Sequence, residues 1–347
     1  MIKVLSKSQY TEWNEYVYNH NYGTIYHSSM WLNVINKSFG LEPLIIVKIN
    51  GSIAGGMPFF HHKNLLFPSK LVSITNAHSC NPLVNNESDL SELIDYIQTY
   101  ASDQAITQVE IKTTEDFRYR NKKLENPDTD FSTYILSLDK DYSSIQKSFH
   151  NSCIARPLKK AQNNNLKLIV GTREEDVKIF YGFYEIMRKE NGLLPQPLTF
   201  FINLWEELYR TNNCEIFHAE YEGKIISSVF NLLYKQTYTY EYGATDSNFL
   251  NLHPSHFLLD HSIKNALSKN FKYFDFGRTE NSNIGLSDFK KRWGTRRINL
   301  NYFSIPNSNK ISPIKNDYLK NVASAIIHLT PKPLYRVAGQ IMYKMTV

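Results

Sequence analysis

Apolar runs of strand length and helical repeats follow one another along the chain, and the same order occurs twice. In the first half, Pro43–Ile49 and Ser52–Phe60 are apolar runs joined by Asn50-Gly51, a strong hairpin signal. A helix is expected at about Asp89–Tyr100 and a strand at Gln108–Lys112. In the second half, Glu215–Tyr221 and Lys224–Tyr234 flank Glu222-Gly223, and a third strand is expected at Thr237–Tyr242. A helix at Ser255–Lys269 and a strand at Lys272–Phe276 complete the run. From Gly51 to Val109 is 58 residues and from Gly223 to Phe274 is 51, so the pattern points to a duplicated unit.

Between the halves, Phe131–Leu138 reads as a strand and Tyr142–Asn163 as a helical region, broken or restarted at Pro157. Helices are expected at Arg173–Glu190 and Leu198–Tyr209. Val177, Phe180, Tyr184 and Met187 recur on the first at helical spacing and predict a core face. At the C-terminus, Asp317–Leu329 carries Leu319, Val322, Ala325, Ile326 and Leu329. Pro333–Met345 carries Leu334, Val337, Ile341 and Met342. Lys320, Lys332, Arg336 and Lys344 surround these residues, so the tail can lie on an anionic membrane surface or dock its apolar stripe on the body.

Composition narrows the class. A length of 347 residues suggests two domains, and 42% hydrophobic with 14% aromatic residues suffices for their cores. No apolar run reaches membrane-spanning length and the N-terminus carries no secretory signal, so a cytoplasmic protein is expected. The net charge of +6 is concentrated: five Lys, Arg336 and Asp317 give the segment from Lys310 to Val347 +5. Cys80, Cys153 and Cys214 form no C-x-x-C pair, and the adjacent His61 and His62 point to opposite sides of a strand, so no metal site is expected. The absence of G-x-S-x-G, a P-loop and G-x-G-x-x-G disfavours hydrolase, NTPase and dehydrogenase readings.

The chemistry concentrates between Tyr240 and Gly294. The order is a strand, a polar turn, a helix start, a second strand and a basic loop, which can all face one cleft suited to an anionic, phosphate-bearing substrate. Lys290, Lys291 and Arg292 lie between Phe289 and Trp293. They are either a solvated basic loop or, for Lys290, a group that holds phosphate or an oxyanion. Asp275 sits on the opposite side of its strand from Phe274 and Phe276, where it orients an amine or pairs with Arg278 or Lys290. Tyr238, Tyr240 and Tyr242 are expected on one strand face, with Tyr242 nearest the cleft. The helix start Asn251–His256 has no glycine, and Pro254 removes an amide donor, which weakens ordinary coenzyme A binding; Ser255 is the expected N-cap. His253 and His256 read as bases or as surface and capping residues. Arg156, Lys159 and Lys160 read as a solvated helix face or as contacts to a phosphorylated acceptor or tRNA, and Trp31 as core or pocket wall.

These blocks resemble the FemAB/FemX superfamily of acyltransferases. The matches are Tyr242-Gly243-Ala244, Pro254 with Leu258-Leu259, Ala266 with Phe274-Asp275-Phe276-Gly277, and Phe289-Lys290 with Trp293-Gly294; His27-Ser28-Ser29-Met30-Trp31 resembles the N-terminal element. Asn270 stands where the family usually has Gly, a substitution a left-handed C-cap tolerates. The resemblance is strong over 215–297, weaker over 142–214 and faint over 1–141. It implies an α/β (α+β) fold of two GNAT-like domains, each a mixed central sheet flanked by helices: 1–141, 142–309 with the main motifs, and a basic helical tail 310–347.

The implied activity is transfer of an activated acyl or aminoacyl group to an amine of a peptidoglycan or polysaccharide precursor in the cell envelope. Lys290 would be the electrostatic element, Tyr242 and Asp275 would orient, and Arg156 and Arg278 would hold phosphate. Lys159, Arg292, His256 and Trp31 complete the expected substrate-binding set. The co-substrate would be aminoacyl-tRNA or acyl-CoA, with no bound cofactor and no metal. Expected partners are an envelope precursor, lipid-linked or free, aminoacyl-tRNA, and a membrane surface reached by the basic tail from the cytoplasmic side, but not DNA. Two rivals stand: a coenzyme-A-dependent N-acyltransferase acting on an amino sugar or amino acid, and a non-catalytic RNA- or lipid-binding module.

Overall fold

In chain order the strands are β1 Ile2–Val4, β2 Pro43–Asn50, β3 Ser52–His62, β4 Lys70–Val72, β5 Gln108–Thr114, β6 Asp128–Ser137 and β7 Lys167–Gly171. They continue with β8 Cys214–Tyr221, β9 Lys224–Tyr234, β10 Thr237–Thr245, β11 Tyr273–Asp275, β12 Thr279–Glu280 and β13 Arg296–Ile305. The helices are α1 Tyr10–Asn19, α2 Ser29–Phe39, α3 Glu87–Asp103, α4 Tyr142–Gln146, α5 Arg156–Asn163 and α6 Glu174–Glu190. Then come α7 Leu198–Leu208, α8 Pro254–Ser268, α9 Ile284–Lys291, α10 Asp317–Leu329 and α11 Lys332–Thr346. The structure, a computed structural model, describes residues 1–63, 68–306 and 317–346. The sequence-derived boundary at 309/310 and the cations Lys310 and Lys315 lie outside the described residues.

The chain forms two units. The first comprises Met1–Phe131 and resumes at Ile298; the second comprises Ser132–Arg297 and the C-terminal helices up to Gln340. In the first, the strand order is β1-β2-β3-β4-β5-β13, antiparallel throughout except for the parallel pair β4–β5. In the second it is β7-β8-β9-β10-β11-β6, again antiparallel except for the parallel pair β10–β11. The two sheets therefore share one plan, strand for strand. Their last strands are exchanged along the chain: β6 follows β5 in sequence yet pairs with β11, and β13 follows β11 yet pairs with β5.

Local sequence accounts for most of these elements. In the hairpin β8–β9, Glu222 and Gly223 both take positive φ, 50° and 80°, the two-residue turn whose twist matches the flanking strands. Asn270 adopts φ 61° just past α8, as a left-handed helix end requires. In the first unit, Ile94, Ile97, Val109, Ile111, Met57 and Phe59 form the centre of a core between α3 and the sheet. In the second, Leu259, Ile263 and Ala266 of α8 pack on Tyr238, Phe274 and Phe276. Phe180, Tyr184 and Phe201 of α6 and α7 form an aromatic layer with ring centroids 4.9–5.9 Å apart.

Three expectations are corrected. The segment read as a basic loop at 288–294 is largely helix α9. Ser255 is not the N-cap of α8: His253 precedes the helix at φ 56°, and the Ser255 hydroxyl pairs with Thr245 Oγ1 at 2.8 Å. A register shift between Tyr240 and Tyr242 breaks the alternation that would place Tyr238, Tyr240 and Tyr242 on one face. The tail helices, left open between docking and membrane contact, attach to the second unit through Tyr335 and Arg336, while Leu334 and Val337 of α11 remain exposed.

Candidate active site

β10 and β11 run side by side only from Thr237–Thr239 against Tyr273–Asp275. Beyond that, β10 continues paired with β9 but without β11 on its other side, and the chain after Asp275 turns away at Gly277. The gap opens into a cleft of about 460 Å³. Its walls come from Tyr240 and Glu241 of β10, from Gly277 and Arg278, from His253–His256 at the start of α8, and from Phe289 and Lys290 of α9.

Two buried charges shape the turn between β11 and the cleft. Asp275, 5% exposed, accepts from the Gly277 amide at 2.8 Å and from the Thr133 hydroxyl. Lys290, 6% exposed, donates from Nζ to the carbonyls of Gly277 at 2.8 Å and Arg278 at 3.3 Å. Gly277 has φ 71°, and a Cβ there would come within 3.2 Å of the Tyr240 carbonyl, so both conformation and space require glycine. The F-D-F-G-R sequence is thus a turn held by a carboxylate on one side and an ammonium on the other. Two of the three ammonium donors are committed to carbonyls, and Lys290 also lines the cleft.

Burial pushes the Lys290 ammonium down to about 8, with Arg278 adding to the lowering while Asp275 and Glu241 oppose it. Near neutrality it remains charged and only weakly hydrated, the state suited to stabilising developing negative charge. His256 is pushed down to about 4, chiefly by burial, and is neutral. Its Nε2 lies 3.2 Å from the Cys153 carbonyl, which can only accept, so Nε2 carries the proton and Nδ1 the lone pair. Its ring meets Phe289 edge-on at 5.3 Å.

The predicted residues separate. Lys290, Arg278 and His256 line the cleft. Asp275 stands behind it as the partner of Gly277. Tyr242 packs in the aromatic layer against Phe201 at 5.1 Å, with its hydroxyl 3.3 Å from Gln196 Nε2, and is outside the cleft lining. Arg156 and Lys159 are exposed on α5. Arg292 borders a separate shallow depression with Ser148, His150 and Asp288. Trp31 is fully buried in the first unit, donating to the Thr75 carbonyl at 3.2 Å. The residue that sequence reasoning missed is Glu241. It lies at the register shift of β10 and lines the cleft. Leu250 and Leu286, exposed apolar side chains of the lining, were missed as well. Among the described residues no cluster of His, Cys, Asp and Glu suits a metal.

Known proteins share sequence and fold with this chain. The family described as Acetyltransferase (GNAT) domain matches residues 150–291, which span α8, β11 and α9. Lipid II:glycine glycyltransferase from Staphylococcus epidermidis is 19% identical, covering 81% of this chain and 87% of its own length. The chain resembles the FemAB/FemX-like acyltransferases in sequence and fold. The crystal structure of FemX shares the fold with a TM-score of 0.68 at 15% identity, over 98% of this acyltransferase and all of that chain. A tandem GNAT protein from the clavulanic acid biosynthesis pathway aligns with a TM-score of 0.50 at 9% identity, over 89% and 99%. The two like sheets are accordingly two GNAT-like units. No helix among the described residues is long and apolar enough to cross a membrane.

Proposed function

We propose that this acyltransferase moves an aminoacyl group from aminoacyl-tRNA to an amine on a lipid-linked peptidoglycan precursor. The observation that carries the reading is the cleft at the β10–β11 gap, where a buried ammonium, a carboxylate and an arginine meet beside an apolar rim. The acceptor's amine nitrogen attacks the ester carbonyl carbon, the ester C–O bond breaks, and the sugar oxygen of the tRNA leaves. Lys290 steadies the oxyanion that forms, and Glu241 takes the proton the amine sheds and passes it to the departing sugar oxygen. Arg278, exposed at the mouth, meets the acceptor's phosphates. Leu250 and Leu286 give the mouth an apolar border suited to a lipid-bearing molecule.

The start of α8 supports tRNA over coenzyme A. His253 and Pro254 occupy the place where a glycine loop would present several amides to a pyrophosphate, and Pro254 supplies none. The named relative, a lipid II:glycine glycyltransferase, agrees with such an acceptor. The test pairs two measurements. Radiolabelled aminoacyl-tRNA with a lipid-linked acceptor should give product, and calorimetry should give no saturable coenzyme A binding at sub-millimolar concentration. A stoichiometric coenzyme A isotherm together with transfer from acyl-CoA would overturn the donor assignment.

A further inference from the structure

Helix α11 is attached through polar contacts and turns an apolar stripe outward, as do Ile326 and Leu329 at the end of α10. Tyr335 is fully buried and donates to the Leu193 carbonyl at 2.7 Å. Arg336 forks onto both carboxylate oxygens of Glu185, and Lys332 approaches the same carboxylate at 3.2 Å. Lys189 of α6 donates to the Thr330 carbonyl at 2.8 Å. Gly339 passes so near Pro195 that a Cβ would meet its carbonyl oxygen at 2.4 Å. These anchors fix the rotation of α11 about its own axis. They leave Ile326 61%, Leu329 85%, Leu334 62% and Val337 51% exposed. Ile341, 53% exposed, follows on the same face at the next helical repeat.

An ordinary amphipathic surface helix buries this face and shows its charges. Here the reverse holds, and grouped exposed apolar residues mark an interaction surface. The charge says what kind. From residue 318 to the end the sequence has four cations, Lys320, Lys332, Arg336 and Lys344, and no carboxylate. Glu185 offers one negative charge against Lys332 and Arg336, and Lys189 stands beside them, so the excess is positive.

We propose that this face docks on an anionic lipid surface. Ile326, Leu329, Leu334 and Val337 enter the boundary between headgroups and acyl chains, and the net positive charge of the segment draws it to the anionic surface. The inference rests on the reading of the cleft for its purpose, since an acceptor with a lipid anchor is met at a bilayer. One helix joins the two places: α6 carries Glu185 and Lys189 at the anchor and Met187 in the cleft lining.

The test is flotation of the full chain, and of L329S/L334S/V337S in the full chain, with vesicles of phosphatidylcholine alone or containing phosphatidylglycerol. The full chain should favour phosphatidylglycerol vesicles by about tenfold or more, a preference that weakens with added salt, and the triple substitution should abolish binding. Its Tm and its transfer to a water-soluble acceptor should be unchanged. Equal binding by both proteins, or none by the full chain at low salt, overturns the proposal. So does self-association of the full chain in sedimentation that the substitutions remove while vesicle binding persists, which would assign the face to a second copy. Vesicle binding needs no turnover. A chain that floats but transfers nothing therefore counts against the cleft reading alone, and one that transfers but does not float counts against this one.

Discussion

In both units the fourth and fifth strands run parallel, and the two units differ in what lies beyond their last shared residue. In the first, the chain after β4 stays against β5. The Ser73 amide donates to the Glu110 carbonyl at 2.8 Å, the Cys80 amide to the Lys112 carbonyl at 2.8 Å, and Asn81 Oδ1 accepts from the Thr114 amide at 2.9 Å. The Lys112 ammonium reaches the Ile74 carbonyl at 3.2 Å. Ser73, Thr75, His78 and Asn81 are buried, so the space is sealed by the protein's own polar groups. In the second, no segment among the described residues fills the corresponding gap, which opens as the cleft, and Lys290 caps its inner end. The helix starts differ in the same sense. α3 begins with the Asn86 cap on the Asp89 amide and has Glu87 and Asp89 in its first turn; α8 has neither a side-chain cap nor an acid there. A carboxylate in the first turn satisfies the helix's positive end from within, whereas its absence leaves that end to a ligand. One sheet plan thus yields a self-satisfied unit and a receptive one.

The largest effect should come from exchanging lysines across this comparison. Lys290→Ala is expected to lower single-turnover rate by about 10²-fold or more, the size of losing one oxyanion donor. Lys112→Ala should lower Tm and leave the rate unchanged. Comparable rate losses in both variants would break the comparison. The same lysine fixes a pH dependence. Its ammonium is present below about 8 and lost above, so rate should fall as pH rises through that value. Lys290→Arg keeps its charge and should lose this limb of the profile, even at a lower rate.

Next in size is Glu241→Gln, expected to reduce kcat by about 10²-fold as proton acceptor with Tm intact. A wild-type rate would return the proton to solvent and leave Glu241 as a wall. On the sealed side, Asn81→Ala removes both a partner of the Thr114 amide and a contact to the Thr114 hydroxyl. It should cost about 1–3 kcal/mol in denaturant unfolding without changing turnover. A fall in turnover at full stability would instead tie the first unit's filled gap to catalysis. The smallest effect concerns His256. Because it is neutral well above its value of about 4, the rate profile between pH 5 and 7 should have the same shape in His256→Asn. A limb in that range that disappears in the variant would make His256 a titrating base.

The sequence made the receptive unit legible because its elements are local. Asn50-Gly51, Glu222-Gly223 and Asn270 each declare a turn or helix end through one backbone preference, and the structure has them there. Lys290, Arg278 and His256 line the cleft, and short motifs fix their places relative to strand and helix ends. Glu241 was not legible, because a register shift arises between paired strands and no single residue type announces it. Tyr242 was expected nearest the cleft from its place beside Gly243 at the strand end, and the same shift interrupts the alternation that grouped it with Tyr238 and Tyr240. The tail's orientation was equally hidden: its stripe was visible, but which side attaches depends on Glu185 and Pro195, more than a hundred residues earlier.

The exchange of β6 and β13 bears on how the molecule is made. During synthesis the first half of the chain emerges with β1 to β5, but its sixth strand is β13, nearly two hundred residues later. β6 meanwhile appears early and waits for β11, with the edge it will present still unpaired. An unpaired strand edge invites pairing with other chains. Neither sheet can finish as an independent folding unit, and much of the contact network must close over long sequence separations, which slows folding. A fragment ending before Arg296 would leave β5 without its neighbour, so the nascent protein should depend on holding chaperones until its last strand leaves the ribosome.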